Sequence, residues 1–382
     1  MGDWRIANME KYTEAILLRI CEKLQLTPSL YQQANDRYKT ITDTLRKDEA
    51  FRNIDLSMYP QGSFRLKTTV KPLNGNEYDL DFVAELPIGT MMTPYDLYDH
   101  IARILQNDGV HNNMVELKKR CIRVNYANDF HMDIMPGKLI NANTNEIVVP
   151  DKDLKTWYHH SNPIGFAKWF EEQAKTQIFF ELSEQRRVLA QVEKVTEQEV
   201  AKQLEPLRRA VQLVKRYRDV YCDEHKTEPV RSIVICTLMG EIASFMGDTL
   251  QIIQSFCQHV NSLIVQNDYR PFEVKNPVVD EVLTEKWKEG TNFQDFVKMM
   301  SALSEDIISL RESSINSRIN ELIKKMFGEE VTNTAINEYA SSLTKARLSG
   351  GLSVGPKGDL NINGSGVSVK KNTFFGSDNV KS

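Results

Sequence analysis

Asp79 and Asp81 stand two residues apart in Tyr78-Asp79-Leu80-Asp81-Phe82-Val83. On a strand, residues two apart share a face, so Leu80, Phe82 and Ala84 turn to a core while both carboxylates project to the other side. Like charges that close repel, and a cation between them relieves the repulsion. Carboxylate oxygens suit magnesium, which keeps positions open for phosphate oxygens. The rival reading is two solvated aspartates on an exposed strand face, because Asp-x-Asp is short and common. Two further features weigh against it. Gln61-Gly62-Ser63-Phe64 lies upstream, and a Gly-Ser turn lets backbone approach a phosphate closely and adds a hydroxyl donor. Asp133 shares a strand face with His131 and Met135, opposite Met132 and Ile134. If its strand lies beside that of Asp79, three carboxylates meet. Such a set holds two divalent ions about 4 Å apart, which stabilises the attacking and leaving oxygens of a phosphoryl transfer.

The surrounding elements must position these residues. Ile16, Leu17, Ile20 and Leu24 recur at helical spacing, and Thr27-Pro28 ends that run. A second helix is predicted from Ser29 to Phe51. Residues 59–149 change texture: short strand-like pieces are punctuated by Gly and Pro, with one helix over Pro94–Asn107. Cys121–Tyr126 and Phe130–Met135 alternate on either side of Asn128-Asp129 and predict a hairpin. From Pro163 to Leu348 the pattern is almost all helical, with a long charged helix over Phe166–Val195 and a basic one over Leu204–Tyr221. Ser349–Ser382 holds seven glycines and few large apolar residues, and reads as a flexible tail.

Composition sets bounds. The chain has 382 residues, 41% hydrophobic and 26% charged, which is the make-up of a folded protein rather than a disordered one. The 48 basic and 52 acidic residues leave a net charge of −4, which argues against a dedicated duplex-DNA binder. The most apolar stretch, Ser232–Gly247, is too short for a membrane span and contains Glu241. Met1–Arg5 shows no apolar signal core, and Ile6 breaks a myristoylation motif at Gly2. Five scattered cysteines without a C-x-x-C pair read as reduced thiols, so a cytoplasmic location is expected.

Gly62-Ser63, Asp79-x-Asp81 and a lone Asp133 on a later strand together resemble the nucleotidyltransferase superfamily of DNA polymerase β. The helical second half resembles the subset containing cyclic GMP-AMP synthase, oligoadenylate synthase and poly(A) polymerase. The Gln61-Gly62-Ser63-Phe64 start, the N-terminal helices and the length resemble the bacterial cGAS/DncV-like nucleotidyltransferases. The resemblance spans roughly residues 10 to 345. It implies a bilobal α+β fold: N-terminal helices packing on both lobes over 1–57, a polymerase-β-like mixed-sheet core over 58–162, a helical domain over 163–348, then the tail over 349–382. It implies catalytic and metal-binding roles for Asp79, Asp81 and Asp133, with two magnesium ions and manganese as a substitute. Donor phosphates would rest on Gln61, Gly62 and Ser63. Family members also carry a phosphate-contacting lysine in a basic helix and a serine opening the next helix, here Lys215 and Ser232. A lysine supplies a compact positive charge and a helix N-terminus favours anions. The rival reading is that Arg208, Arg209, Arg216 and Arg218 with Lys215 solvate a helix face.

The implied activity joins ATP, GTP or pyrimidine nucleoside triphosphates with loss of pyrophosphate. The product would be a cyclic di- or trinucleotide messenger of anti-phage defence that acts on a separate effector. A monomer working without nucleic acid or membrane is expected. Two alternatives stand: a template-independent polymerase extending RNA, which calls for an open basic groove, and a catalytically inactive scaffold. His159-His160 reads as surface or loop. His131 reads as a hydrogen-bonded strand residue bordering the site. Arg65 and Lys67 read equally as phosphate neighbours or surface charge. The run Lys118-Lys119-Arg120 with Arg123 reads as a solvated strand edge.

Overall fold

A computed structural model describes residues 3–75, 77–127, 130–150, 159–175, 204–242, 248–355, 360–362 and 366–369. The chain divides into two compact units, Cys21–Ile307 and Met1–Ile20 with Ile308–Ser382. Helix α1 (Asp3–Leu24) comes first, followed by α2 (Pro28–Lys47), which Thr27 opens by accepting the backbone N–H of Leu30 at 3.2 Å. The next elements are β1 (Ser57–Pro60), the one-turn α3 (Gly62–Arg65), β2 (Tyr78–Leu86) and α4 (Pro94–Asn107). Helix α4 has the bounds the sequence predicts, because Pro94 sits at its start and Thr93 and Asp96 form a reciprocal capping box.

Strands β3 (Val115–Leu117), β4 (Ile122–Tyr126), β5 (Phe130–Asn141), β6 (Glu146–Val149) and β7 (His159–Ser161) complete a mixed seven-stranded sheet. Its path is β1-β2-β5-β4-β3, with β6 joining β5 to β7. The predicted hairpin is present as the antiparallel pair β4–β5, and its Asn128-Asp129 turn lies outside the described residues. One face of the sheet carries Leu80, Phe82, Ala84, Ile122, Val124, Met132 and Ile134, which pack under α2 and α4 through Ala34, Tyr38, Ile41, Leu45, Leu97, Ile101 and Leu105. Tyr38 stacks on Phe82 with ring centroids 4.7 Å apart. Each such large apolar side chain, fully buried, contributes about 1.5–3 kcal/mol.

Helices α5 (Pro163–Ala174), α6 (Pro206–His225), α7 (Ser232–Glu241), α8 (Thr249–Gln266) and α9 (Asn292–Glu312) follow. The charged helix predicted to Val195 is described only to Ala174, and residues 176–203 lie outside the described set. The sequence suggests a boundary near residue 162. In the structure the sheet and α5–α8 fall in one unit. A row of side-chain hydrogen bonds from α6 to the segment after α3, set out below, runs between the helices and the sheet.

In the smaller unit, α10 (Asn316–Phe327) and α11 (Glu329–Ser349) are separated by Gly328 at φ 94°. The Tyr12 hydroxyl donates to Asn320 at 2.7 Å, and its ring meets Tyr339 edge-on at 5.3 Å. Within the stretch read as a flexible tail, β8 (Leu352–Val354) pairs with β9 (Leu360–Ile362) and β10 (Val367–Ser368). Leu352 and Ser353 are buried whereas Leu360 and Ile362 are exposed, so the pairing is carried by the backbone ladder rather than by a buried apolar face. Residues 370–382 lie outside the described set.

Candidate active site

Four consecutive residues set the floor of the site, each in a different way. The Gln61 N–H donates to the Asp81 carbonyl at 2.8 Å, extending the β1–β2 ladder by one residue. The chain then turns at Gly62, whose φ of 58° lies in the left-handed region. A Cβ at that position would stand 2.5 Å from Oδ2 of Asp81. Gly62 is thus required twice, for its backbone angle and for the room it leaves to a carboxylate. Ser63 follows and lines the cavity. Phe64 turns into the core against Tyr31 and Phe82, at 5.3 and 5.9 Å between ring centroids, and anchors the turn.

Register brings the carboxylates together. Strands β2 and β5 are parallel, with Asp81 opposite Asp133 and Asp79 opposite His131. Asp79, Asp81 and Asp133 therefore share the face not covered by α2 and α4. Further along that face, Tyr59, Val83, Ile147 and Val149 form a second apolar cluster, and the Tyr59 hydroxyl donates to the buried Glu85 at 2.6 Å. The acidic patch is confined to one end of the sheet.

The antiparallel pair β4–β5 sets Arg123 opposite Asp133. Its Nε donates to Oδ1 of Asp133 at 2.7 Å and its Nη2 to Oδ2 at 2.8 Å, and Nη2 also reaches Oδ1 of Asp79 at 3.0 Å. The Asp133 and Arg123 side chains are mostly covered, at 15% and 21% exposed, whereas Asp79 is 62% exposed. Burial, and then repulsion from Asp133 and Asp79, pushes the Asp81 carboxyl up to about 7, against the attraction of Lys215 and Arg123. Burial and the Asp133 carboxylate also push the Cys121 thiol up to about 12. Arg123 was expected in a solvated basic run. Lys118 fits that expectation, pairing with Glu116 at 2.6 Å, but Arg123 faces the acidic site. Counting back from the hairpin turn, 123 against 133, would have found it.

The opposite wall is α6 and α7. Most basic residues of α6 do not solvate a surface: Arg208, Lys215, Arg216 and Arg218 are buried, as is Gln212, and Arg209 is half-buried with its guanidinium donating to Thr249 and to the Leu204 carbonyl. Arg208 donates to the Leu66 carbonyl, Lys215 Nζ to Thr68 at 2.8 Å, Gln212 to Thr69 at 3.0 Å and Arg216 to Lys71 at 3.2 Å. Residues 66–71 form neither helix nor strand, so their carbonyls need partners, and buried donors on α6 need acceptors. Each need meets the other, and the row latches the segment leaving Ser63 onto α6. Burial first, then the neighbouring Arg218, lowers the Lys215 ammonium to about 8, against the pull of Cys236, Asp219 and Asp81. Ser232 opens α7, and its hydroxyl accepts from Arg218 at 3.0 Å. Arg218 also donates to Asp219 and to the Val230 carbonyl.

Gly62, Ser63, Asp79, Asp81, Asp133, Lys215 and Ser232 line one cavity of about 1160 Å³. Of the predicted residues only Gln61 does not, its amide lying 3.9 Å from the Met135 sulfur. Arg218, from the basic cluster around Lys215, also lines it, as do Asp219, Thr69, Tyr78 and Lys226, which the sequence does not single out. Among the described residues no three His, Cys, Asp or Glu side chains stand as a ready ligand set for a metal ion. The donor chemistry nonetheless fits a hard divalent cation: three carboxylates on one face, one of them pushed up by burial and by repulsion from the other two, with Gly62 leaving room beside it. In this structure a guanidinium supplies the missing charge to Asp79 and Asp133.

Residues 12–174 match the model of the Second Messenger Oligonucleotide or Dinucleotide Synthetase (SMODS) domain. The chain is 29% identical over 381 residues to the c-di-GMP synthase of Roseivirga ehrenbergii, across 97% of this chain and 99% of that protein. It is 24% identical over 361 residues to the cyclic dinucleotide synthase CdnG of Bradyrhizobium diazoefficiens, across 86% and 84%. The structure of that CdnG in complex with GTP aligns with a TM-score of 0.69 at 21% identity, over 86% of this chain and 99% of the other. Vibrio cholerae DncV, a cyclic AMP-GMP synthase solved with the linear intermediate 5′ pppA(3′,5′)pG, aligns with a TM-score of 0.56 at 17% identity, over 87% and 92%. These structural likenesses establish the α+β fold expected from the sequence.

Proposed function

Because the chain belongs to the SMODS-domain nucleotidyltransferases of the cGAS/DncV-like kind, we propose that it joins two nucleoside triphosphates, with GTP as a substrate, into a cyclic dinucleotide messenger. The observation that carries the reading is the convergence of Asp79, Asp81, Asp133, Ser63, Lys215 and Ser232 on one cavity, within a chain that aligns over nearly its whole length with a c-di-GMP synthase. Each join links a ribose hydroxyl to an α-phosphorus and releases one pyrophosphate, so ring closure releases the second.

Asp79, Asp81 and Asp133 would hold magnesium, with manganese as a substitute. Bound there, the metal supplies charge stabilisation at the phosphoryl oxygens and lowers the pKa of the attacking hydroxyl. Asp133, on the strand beside Asp81, would accept the hydroxyl proton. Ser63 donates its hydroxyl toward the donor phosphates across the Gly62 turn. Lys215 presents a buried ammonium from the opposite wall, where low dielectric strengthens its attraction to the β- and γ-phosphates. Arg218 holds the Ser232 hydroxyl at the head of α7 and adds a second cation to that wall. Catalysis is then positioning plus charge neutralisation. The product would act on a separate effector in anti-phage defence, from a monomeric cytoplasmic enzyme. Among the described residues no helix is long and apolar enough to cross a membrane.

The test is incubation with GTP, ATP, each pyrimidine triphosphate and their mixtures, with magnesium or with chelator. Pyrophosphate is quantified and products are resolved by nuclease digestion and mass spectrometry. A magnesium-dependent, guanine-containing cyclic dinucleotide is expected. Extension of an added RNA primer would favour the polymerase reading, and no pyrophosphate from any mixture would favour the scaffold.

A further inference from the structure

Arg123 sits on the middle of β4 and spans two carboxylates that lie on two other strands. It grips Asp133 with two parallel N–H donors and reaches Asp79 with one of them, at 2.7, 2.8 and 3.0 Å. Such two-pronged charged contacts are among the stronger hydrogen bonds in proteins. With the side chain only 21% exposed, solvent screens the pair weakly. Asp133 has both carboxylate oxygens engaged, and Asp79 has one. A divalent ion needs those same oxygens.

We infer that Arg123 is a resident counter-ion of the acidic site, a positioning residue that a divalent cation must displace from Asp79 and Asp133 before it binds, so that Arg123 weakens metal affinity while holding the metal-free site together. Without it, three carboxylates on one sheet face would repel one another. With it, two of them are drawn together at the cost of their free lone pairs. The arrangement raises the divalent concentration at which the site fills. The inference rests on the reading that these carboxylates bind metal.

The experiment is manganese binding to the full-length, nucleotide-free protein, followed by the loss of the free-ion electron paramagnetic resonance signal, on wild type, Arg123→Gln and Arg123→Lys. Metal-free thermal melts run beside it. Removing charged hydrogen bonds that compete with the ion should tighten manganese binding about tenfold or more in Arg123→Gln, while the metal-free melting temperature falls. Arg123→Lys keeps the charge without the fork and should fall between the two in affinity. It carries the test if the glutamine variant does not fold. A residue serving only as structural support would give the opposite sign, because its loss would loosen the ligands. Manganese binding to wild type with equal or weaker binding in both variants would overturn the inference alone. Absence of manganese binding in every protein would overturn both the inference and the metal-site reading beneath it.

Discussion

Replacing Gly62 with alanine should separate the cost of a backbone angle from the cost of moving a catalytic group. Gly62 (φ 58°) and Gly89 (φ 83°) both have positive φ, but only Gly62 has a neighbour where a Cβ would go. Nothing lies within 4 Å of a Cβ at Gly89, whereas at Gly62 the Asp81 Oδ2 would be 2.5 Å away. Each alanine therefore carries the left-handed penalty of about 1–2 kcal/mol. Gly62→Ala must in addition push the Asp81 carboxylate from 2.5 Å to ordinary contact at 3.4 Å or more, a shift of at least 0.9 Å by subtraction. The carboxylate is the end of a side chain and can give way, so the stability cost should stay near that of Gly89→Ala. Function should not escape: a 1 Å misplacement at a reacting centre costs on the order of a hundredfold in rate. Urea melts and magnesium-dependent pyrophosphate release from saturating GTP measure the two quantities. Both variants should lose about 1–2 kcal/mol of stability, with Gly62→Ala slower by about a hundredfold and Gly89→Ala close to wild type. A folded Gly62→Ala that turns over at the rate of Gly89→Ala would refute the placement of Asp81 at the reaction centre.

Asp79→Asn combined with Asp81→Asn should abolish pyrophosphate release yet leave the metal-free melting temperature unchanged or higher, since it removes repelling charges from one sheet face; calorimetry and the release assay report both. Lys215→Ala should weaken GTP binding by about 1.5–3 kcal/mol while GMP binding changes little, because only the triphosphate reaches the ammonium. Titrations at two salt concentrations check it, and equal losses for both ligands would point to a different phosphate anchor. Lys215 also predicts a pH effect. In the folded chain it titrates near 8 against an ordinary 10.5. Between those values the unfolded chain keeps a proton that the folded chain has released, so this residue's contribution to stability rises with pH above about 8 and is flat below it. The stability of wild type relative to Lys215→Met, from urea melts without nucleotide, should therefore grow by about 1–2 kcal/mol between pH 8 and 9.5.

Features with a local period were legible in the residues. Alternation along 78–84 and 130–135 set Leu80, Phe82, Met132 and Ile134 in the core and the three aspartates on the other face, because a strand's side chains reverse at every step. Helix α4 was bounded by its own cap and proline. The hairpin register even contained the Arg123–Asp133 pairing, although the surrounding lysines disguised it as a surface run. Other features depended on contacts between residues far apart in the chain. The parallel register that sets Asp81 beside Asp133 joins strands some fifty residues apart, and no local period encodes it. Gly62 reads as a flexible turn until Asp81 is seen filling the space where its Cβ would be. The basic face of α6 has the composition of a solvated surface. Only the tertiary structure brings up the irregular segment 66–71, whose backbone carbonyls accept from those donors, take them out of water and hold Lys215 over the carboxylates' cavity.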